Sequence, residues 1–301
     1  MSKVFLNLDP EVRSALAGNK PIVALESTVI AHGLPQPQNL ETAQQLERIV
    51  REEGSVPATI AILEGRLLAG LSDEQIRFVA KSEEIKKVSI RDLPIAIARQ
   101  WNGATTVAST TWIAHRAGIS VFATGGIGGV HRGSNKDISA DLPALATTPL
   151  VVVCSGAKIV LDLAATREWL ETYGITVVGY QCDEMPAFYS RRSGLPIDVR
   201  ADSPDDVAEI FRAQQELALE RALLVTVPVP EEFEVPAENL ERTLDAALQE
   251  AESQQISGRE LTPFLLLRMA QASEGATLKA NIALLENNAR VAAQIAAALT
   301  E

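Results

Sequence analysis

Leu150-Val151-Val152-Val153-Cys154-Ser155-Gly156-Ala157-Lys158 decides how the rest of the chain is read. Five apolar residues stand in succession, three of them β-branched. A strand with one wet face alternates apolar and polar residues. A strand apolar at every position is covered on both faces, as in parallel sheets between helices. The small residues Ser155-Gly156-Ala157 end the strand, and Lys158 follows at its carboxyl end. An ammonium held there loses hydration, which favours the free amine. A free amine attacks a carbonyl carbon to give an imine.

The same pattern recurs on both sides of that stretch. Short apolar runs at 22–25, 59–63, 87–90, 105–109, 121–124, 150–154, 177–180 and 223–227 are expected as strands. Amphipathic stretches at 38–53, 72–81, 93–101, 111–117, 159–173 and 204–220 are expected as helices. Strand and helix in alternation predict an α/β fold, a three-layer α/β/α arrangement with a mainly parallel sheet. The last third turns helical, at 240–254, 263–272 and 277–299, with breaks at Ser257-Gly258 and Glu274-Gly275. With no low-complexity linker and no internal repeat, residues 1–301 read as one catalytic domain, its helical tail (about 236–301) packed on the α/β body. In open α/β sheets reactive groups gather at the carboxyl ends of strands. Glu26, Ser109, the 125–141 segment and Lys158 are therefore expected along one edge.

Composition narrows the function classes. The chain has 301 residues, 47% of them hydrophobic, enough for a sizeable core, and a net charge of −12. That charge speaks against binding a nucleic-acid backbone. No apolar run reaches membrane-spanning length, so no membrane partner is expected. The segment from Met1 to Asp9 has too short an apolar core for a signal peptide, which makes the cytoplasm the expected location. Cys154 and Cys182 are read as reduced, packed thiols, since they lack the close Cys or His neighbours of a thiolate metal site.

Several segments could carry chemistry. The run from Ala123 to Gly133 is dense in glycine, which lets backbone N–H groups approach an anion. It matches neither the dinucleotide fingerprint, since His131 takes the last glycine position, nor the P-loop, since Ser134-Asn135 replaces the Lys-Ser/Thr pair. His131 and Arg132 add donors within it. Asp141 opens an expected helix and reads equally as an N-cap or as a working carboxylate. Asp137 is a surface carboxylate or one ligand of a hard divalent ion completed by water. Glu26 ends a strand, where partial desolvation would raise its pKa and suit it to donate a proton. His32 is open between loop packing and substrate contact, whereas His115 reads as a surface or packing residue. Lys87 is either a surface lysine or a charge for a phosphate, and Asn281 either a core amide or a pocket contact.

Taken together, these segments resemble the pseudouridine-5'-phosphate glycosidase family, also called indigoidine synthase A-like. The resemblance runs from about Pro21 to Asn288. It is carried by Ala24-Leu25-Glu26-Ser27-Thr28-Val29-Ile30-Ala31-His32-Gly33, the 122–133 glycine segment, the 137–142 segment and Val152-Val153-Cys154-Ser155-Gly156-Ala157-Lys158. Thr262-Pro263-Phe264-Leu265-Leu266 and Leu278-Lys279-Ala280-Asn281-Ile282 extend it into the tail. The resemblance implies a lyase that reversibly cleaves the C–C glycosidic bond of pseudouridine 5'-phosphate to uracil and ribose 5-phosphate. It implies a lysine imine with the ring-opened sugar, because that bond lacks the heteroatom leaving group of the two-carboxylate scheme.

By motif position, Glu26 would protonate the ring oxygen, Lys158 would attack C1′, and Asp141 would contact substrate and relay protons. Asp137 would hold one largely water-coordinated Mn2+ per subunit. Lys87, Val107, Ser139, Ala140 and Asp141 would contact substrate, with Thr106 and His131 as further phosphate neighbours and Asn281 as a pocket amide. Ser134-Asn135-Lys136 is a couple of residues shorter than is usual in the family, and a homotrimer is implied. Two other readings share the scaffold: an aldolase-like lyase on another phosphosugar, and a sugar-phosphate binder without catalysis. Glu26, Asp141 and Lys158 together argue against the binder, which needs no buried amine.

Overall fold

The structure, a computed structural model, describes residues 5–132, 137–256, 258 and 261–300, with the side chains of 237–239 left aside. The shortened segment Ser134-Asn135-Lys136 and the break at Ser257 lie outside the described residues.

The central sheet follows the order Leu6–Leu8, Arg66–Ala69, Val56–Leu63, Ile22–Glu26, Val121–Ala123, Val151–Cys154, Leu223–Thr226, Thr176–Tyr180, Val199–Ala201. All neighbours along this path are parallel except Val56–Leu63 with Arg66–Ala69. All residues of Ile22–Glu26 and Val151–Cys154 are buried. Because successive side chains of a strand point to opposite faces, helices must cover both. The mainly parallel α/β sheet expected from unbroken apolar runs is the one the chain forms. The tail helix Ala276–Thr300 packs on Ile22–Glu26, Val121–Ala123 and Val151–Cys154. No helix among the described residues is long and apolar enough to cross a membrane.

A local splice in this sheet prepares the site. Val56–Leu63 outruns its parallel partner, pairing Ile60 with Glu26 and then Ala61 with Ala104 of the antiparallel Gly103–Thr105. Ser27 bridges the junction, donating its hydroxyl to the Ile60 carbonyl at 2.6 Å and accepting the Thr105 N–H at 2.8 Å. Thr28 donates to the Thr105 carbonyl at 2.7 Å. Lys86–Val88 runs parallel to Gly103–Thr105 on its other side. Lys87, Thr106 and Val107 are thereby carried to the neighbourhood of Glu26.

Three local expectations fail, each for a physical reason. The run 105–109 is not all strand: the chain leaves the sheet after Thr105 and forms the helix Val107–Ala117. Its first five residues are all buried, so it lacks the polar stripe that marks a helix in sequence. Ser109 consequently spends its hydroxyl on the Val88 carbonyl, 2.7 Å away, rather than facing the edge. The helix expected from 159 begins later, as Leu163–Thr172, because Leu161–Asp162 pairs with Val130–His131. Asp162 caps it, accepting the Ala165 N–H at 2.9 Å. The hairpin strand Arg66–Ala69 was unforeseen. Its turn needs positive φ at Glu64 (50°) and Gly65 (72°), and glutamate gives only weak notice of such a turn.

One buried acid away from the strand ends makes stability depend on pH. Glu47, on the helix Gln38–Glu52, accepts the Thr59 hydroxyl at 2.6 Å. Burial pushes its carboxyl from 4.5 up to about 7, against the pull of Thr59 and Arg51. With a folded value above the unfolded one, its stabilising contribution is complete below pH 4.5 and is lost as pH rises through 7. Glu47→Gln retains an acceptor for Thr59 without the charge. Thermal unfolding is expected to show a gain of at most about 3 kcal/mol at pH 8 and little change near pH 4.5. An equal gain at both pH values contradicts the titration.

Candidate active site

Three adjacent strands, Ile22–Glu26, Val121–Ala123 and Val151–Cys154, end side by side and deliver the central groups. Glu26 is the last residue of the first and is only 6% exposed. Thr124 directly follows the second and donates its hydroxyl to Glu26 Oε1. Burial raises the Glu26 carboxyl above the ordinary carboxylate range. The charge of Lys158, the Thr124 hydrogen bond and Lys87 pull it down, while Asp141 pushes it up. Burial prevails, so the acid tends to keep its proton.

Lys158 is placed by a zipper of backbone bonds between the loops that follow the second and third strands. The Ile127 N–H donates to the Gly156 carbonyl at 3.1 Å, and the Lys158 N–H donates to the Ile127 carbonyl at 3.1 Å. Gly156 holds φ at +80°, and a Cβ there would run into the Pro186 carbonyl. The Lys158 side chain is half-buried and reaches the same cavity as Glu26 and Asp141.

Asp141 begins the short helix Asp141–Leu145, but its carboxylate caps elsewhere. Oδ1 accepts the Ala108 N–H at 2.9 Å, in the first turn of Val107–Ala117, and Oδ2 accepts the Gly128 N–H at 2.8 Å. The carboxylate thus caps a different helix from the one Asp141 opens, and it stands at the cavity wall. Glycine is required at 128, where a Cβ would lie 2.7 Å from Asp141 Oδ2.

The cavity has a volume of about 330 Å³. Glu26, Lys87, Thr106, Val107, His131, Asp137, Ser139, Ala140, Asp141 and Lys158 all line it, so residues far apart in sequence converge. The His131 N–H donates to the Asp137 carbonyl at 2.9 Å, and the Ser139 N–H to the Gly129 carbonyl at 3.0 Å, folding the acidic segment back on the glycine turn. Arg132, expected to add a donor, instead sends Nε to the Leu161 carbonyl at 3.1 Å. A narrower recess of about 50 Å³ shares Glu26, Lys87 and Lys158 and adds Asn281, His32 and Phe188.

Some contributors escaped the sequence reading. Val29–Gly33 forms a single π-helical turn, a feature frequent at functional sites. It carries His32, whose Nε2 is buried without a hydrogen-bond partner among the described residues. Burial and then the charge of Lys87 lower the His32 pKa, against a backbone hydrogen bond at Ile85. In sequence Thr124 belongs to a strand end and to the glycine-dense run, with little that marks it as a partner of Glu26. Its sole signal was a hydroxyl at the carboxyl end, in register with Glu26.

Asp137 is exposed at the cavity wall, and no cluster of three or more His, Cys, Asp or Glu able to hold a metal occurs among the described residues. A lone carboxylate of this kind would leave a hard cation to keep most of its water.

Fold and cavity together define an α/β protein with an acid, an amine and several phosphate-suited donors at its strand ends. The chain belongs to the indigoidine synthase A-like protein family, whose profile matches residues 11–298. It is 50% identical over 299 residues to a pseudouridine-5'-phosphate glycosidase of Caldanaerobacter subterraneus subsp. tengcongensis, covering 99% of this chain and 97% of that one. Another of the same name, from Hahella chejuensis, is 50% identical over 296 residues, covering 97% and 98%. Among solved structures, the prealnumycin C-glycosynthase AlnA in complex with ribulose 5-phosphate superposes with a TM-score of 0.91 at 41% identity, covering 98% of this chain and 97% of that one. An indigoidine synthase A-like protein of Thermotoga maritima gives 0.92 at 40%, covering 100% and 98%.

Proposed function

We propose that this protein is a pseudouridine-5'-phosphate glycosidase, reversibly cleaving the C–C bond between ribosyl C1′ and uracil through an imine on Lys158. The observation that carries the reading is the meeting of a buried Glu26, its pKa raised by burial, with Asp141 and Lys158 in one cavity, in a chain half identical to such glycosidases along nearly its full length. Glu26 gives its proton to the ring oxygen as the C1′–O bond opens, and Lys158 Nζ bonds to C1′. The nitrogen lone pair then expels uracil carbon as the C1′–C bond breaks, leaving the imine; uracil carbon takes up a proton. Water on the imine returns ribose 5-phosphate and the free amine. Asp141, fixed by two backbone N–H groups, is suited to relay protons beside this path.

Lys87, His131, Ser139 and the amino-terminal end of Val107–Ala117, with Thr106 and Val107, offer donors for the phosphate. Ala140 adds cavity wall, and Asn281 offers an amide to uracil in the recess. Asp137 would hold a divalent cation, manganese by family resemblance, which when bound supplies positive charge near the sugar phosphate. A cytoplasmic homotrimer is part of the same reading.

Incubation with pseudouridine 5'-phosphate is expected to release uracil and ribose 5-phosphate in equal amounts. Release of an aldehyde fragment from another phosphosugar, with no uracil, favours the aldolase-like alternative. Asp137→Ala is expected to raise the Mn2+ concentration needed for half-maximal rate by about tenfold or more, in the range seen for lost metal-site partners. An unchanged metal titration removes Asp137 from that role.

A further inference from the structure

We propose that Thr124 is the positioning residue that aims the Glu26 acid, and that Asn288 of the C-terminal helix holds Thr124 in place. The inference rests on the reading of Glu26 as proton donor. Thr124 is only 2% exposed and follows directly on the strand Val121–Ala123. Its N–H continues the sheet ladder to the Val153 carbonyl at 3.0 Å, so its backbone cannot drift. From that fixed point its hydroxyl donates to Oε1 of Glu26. A glutamate carboxyl on three rotatable bonds has many orientations. Tying one oxygen to a rigid strand end leaves the other to face the cavity.

The support beneath Thr124 comes from far along the chain. Asn288 is fully buried in the helix Ala276–Thr300. Its Nδ2 donates to the Thr124 carbonyl at 2.8 Å and lies 3.4 Å from the Gly125 carbonyl and 3.2 Å from the Ser155 hydroxyl. The Ser155 N–H in turn donates to the Gly125 carbonyl at 2.9 Å. One amide thus joins the strand end that holds the acid to the loop that leads, three residues later, to Lys158. A helical tail that closes on the sheet sets the distance between proton donor and nucleophile. The buried amide is satisfied only while both loops stay in place.

The charged and titratable groups around Glu26 are Lys158, Lys87 and Asp141, with the His32 ring in the adjoining recess. Thr124→Val leaves all of them intact, conserves side-chain shape and deletes only the hydroxyl. The experiment is the pH profile of uracil release by the whole enzyme, for wild type, Thr124→Val, Thr124→Ser and Glu26→Gln. A donor must carry its proton, so activity is lost as pH rises through the Glu26 pKa. The hydroxyl favours the ionised carboxylate; without it, this alkaline limb is expected to move to higher pH.

In the same Thr124→Val variant kcat is expected to fall roughly tenfold to a hundredfold, the range governed by a hydrogen bond to a charged group. Thr124→Ser is expected to restore both the limb and most of the rate. Borohydride trapping of ribose 5-phosphate and an unchanged Tm establish that Thr124→Val is folded. An alkaline limb that Glu26→Gln abolishes but Thr124→Val leaves unmoved overturns the positioning role alone. So does a serine variant as impaired as the valine one. A limb that survives Glu26→Gln overturns the donor reading itself.

Discussion

Lys158→Ala is expected to abolish cleavage of pseudouridine 5'-phosphate while the protein stays folded. What Lys158 gives the structure comes through its backbone: its N–H reaches the Ile127 carbonyl, and its carbonyl accepts the Leu161 N–H at 3.0 Å. Alanine keeps both. The side chain is only half-buried and lines a cavity, so its removal leaves no unfilled core. The melting temperature should therefore change little. Loss of a covalent nucleophile costs on the order of 10⁴-fold or more in rate. Lys158→Arg sharpens the test, since it retains positive charge beside Glu26 and Asp141 but offers no nucleophilic nitrogen at neutral pH. If arginine restores turnover, the lysine acts as a charge and the covalent scheme falls. The direct readout is borohydride reduction in the presence of ribose 5-phosphate. Peptide mass mapping is expected to place the adduct on Lys158. An adduct on Lys87, which also lines the cavity, would reassign the nucleophile.

How much of this site sequence could disclose depended on whether a residue acts through its type or through its partners. Lys158 and Glu26 were visible because each is a charged residue closing an apolar strand segment, an unusual place for charge, and Asp141 because it is an acid at an expected helix start. The parallel sheet was visible for the same reason, as unbroken apolar segments. Asp141 shows the limit: its place at a helix start was legible, yet its carboxylate serves Ala108 and Gly128, thirty-three and thirteen residues away. Thr124 and Asn288 are ordinary residues whose work lies wholly in long-range hydrogen bonds. The π-helical turn at Val29–Gly33 leaves little trace, since Ile30-Ala31-His32 reads equally as strand, helix or loop. The sheet splice at Thr105 misled the reading, because β-branched residues there continue into a buried helix where tertiary packing overrides propensity.

Glu26→Gln should separate chemistry from stability in opposite directions. The glutamine carbonyl can still accept the Thr124 hydroxyl, and the side-chain volume is nearly the same, so the local packing survives. No proton can be delivered to the ring oxygen, and the expected loss of cleavage is about 10²- to 10⁴-fold, the usual scale of general acid catalysis. The effect on folding has the other sign. Burial holds the Glu26 pKa above its unfolded value despite Lys158, Thr124 and Lys87. Its contribution to stability is therefore present at low pH and lost as pH rises through the folded value. The glutamine variant should gain Tm relative to wild type at pH 8 and gain less at pH 5. A site residue that destabilises its own fold is expected where activity requires a buried acid. One further measurement distinguishes proton delivery from imine formation. Free ribose 5-phosphate opens its ring in solution without the enzyme, so borohydride should still trap it on Lys158 in the glutamine variant. Trapping retained with C–C cleavage lost assigns Glu26 to ring opening of the nucleotide. Trapping lost together with cleavage would place Glu26 in the reaction of the amine itself, and a cleavage rate left intact would move proton donation to Asp141.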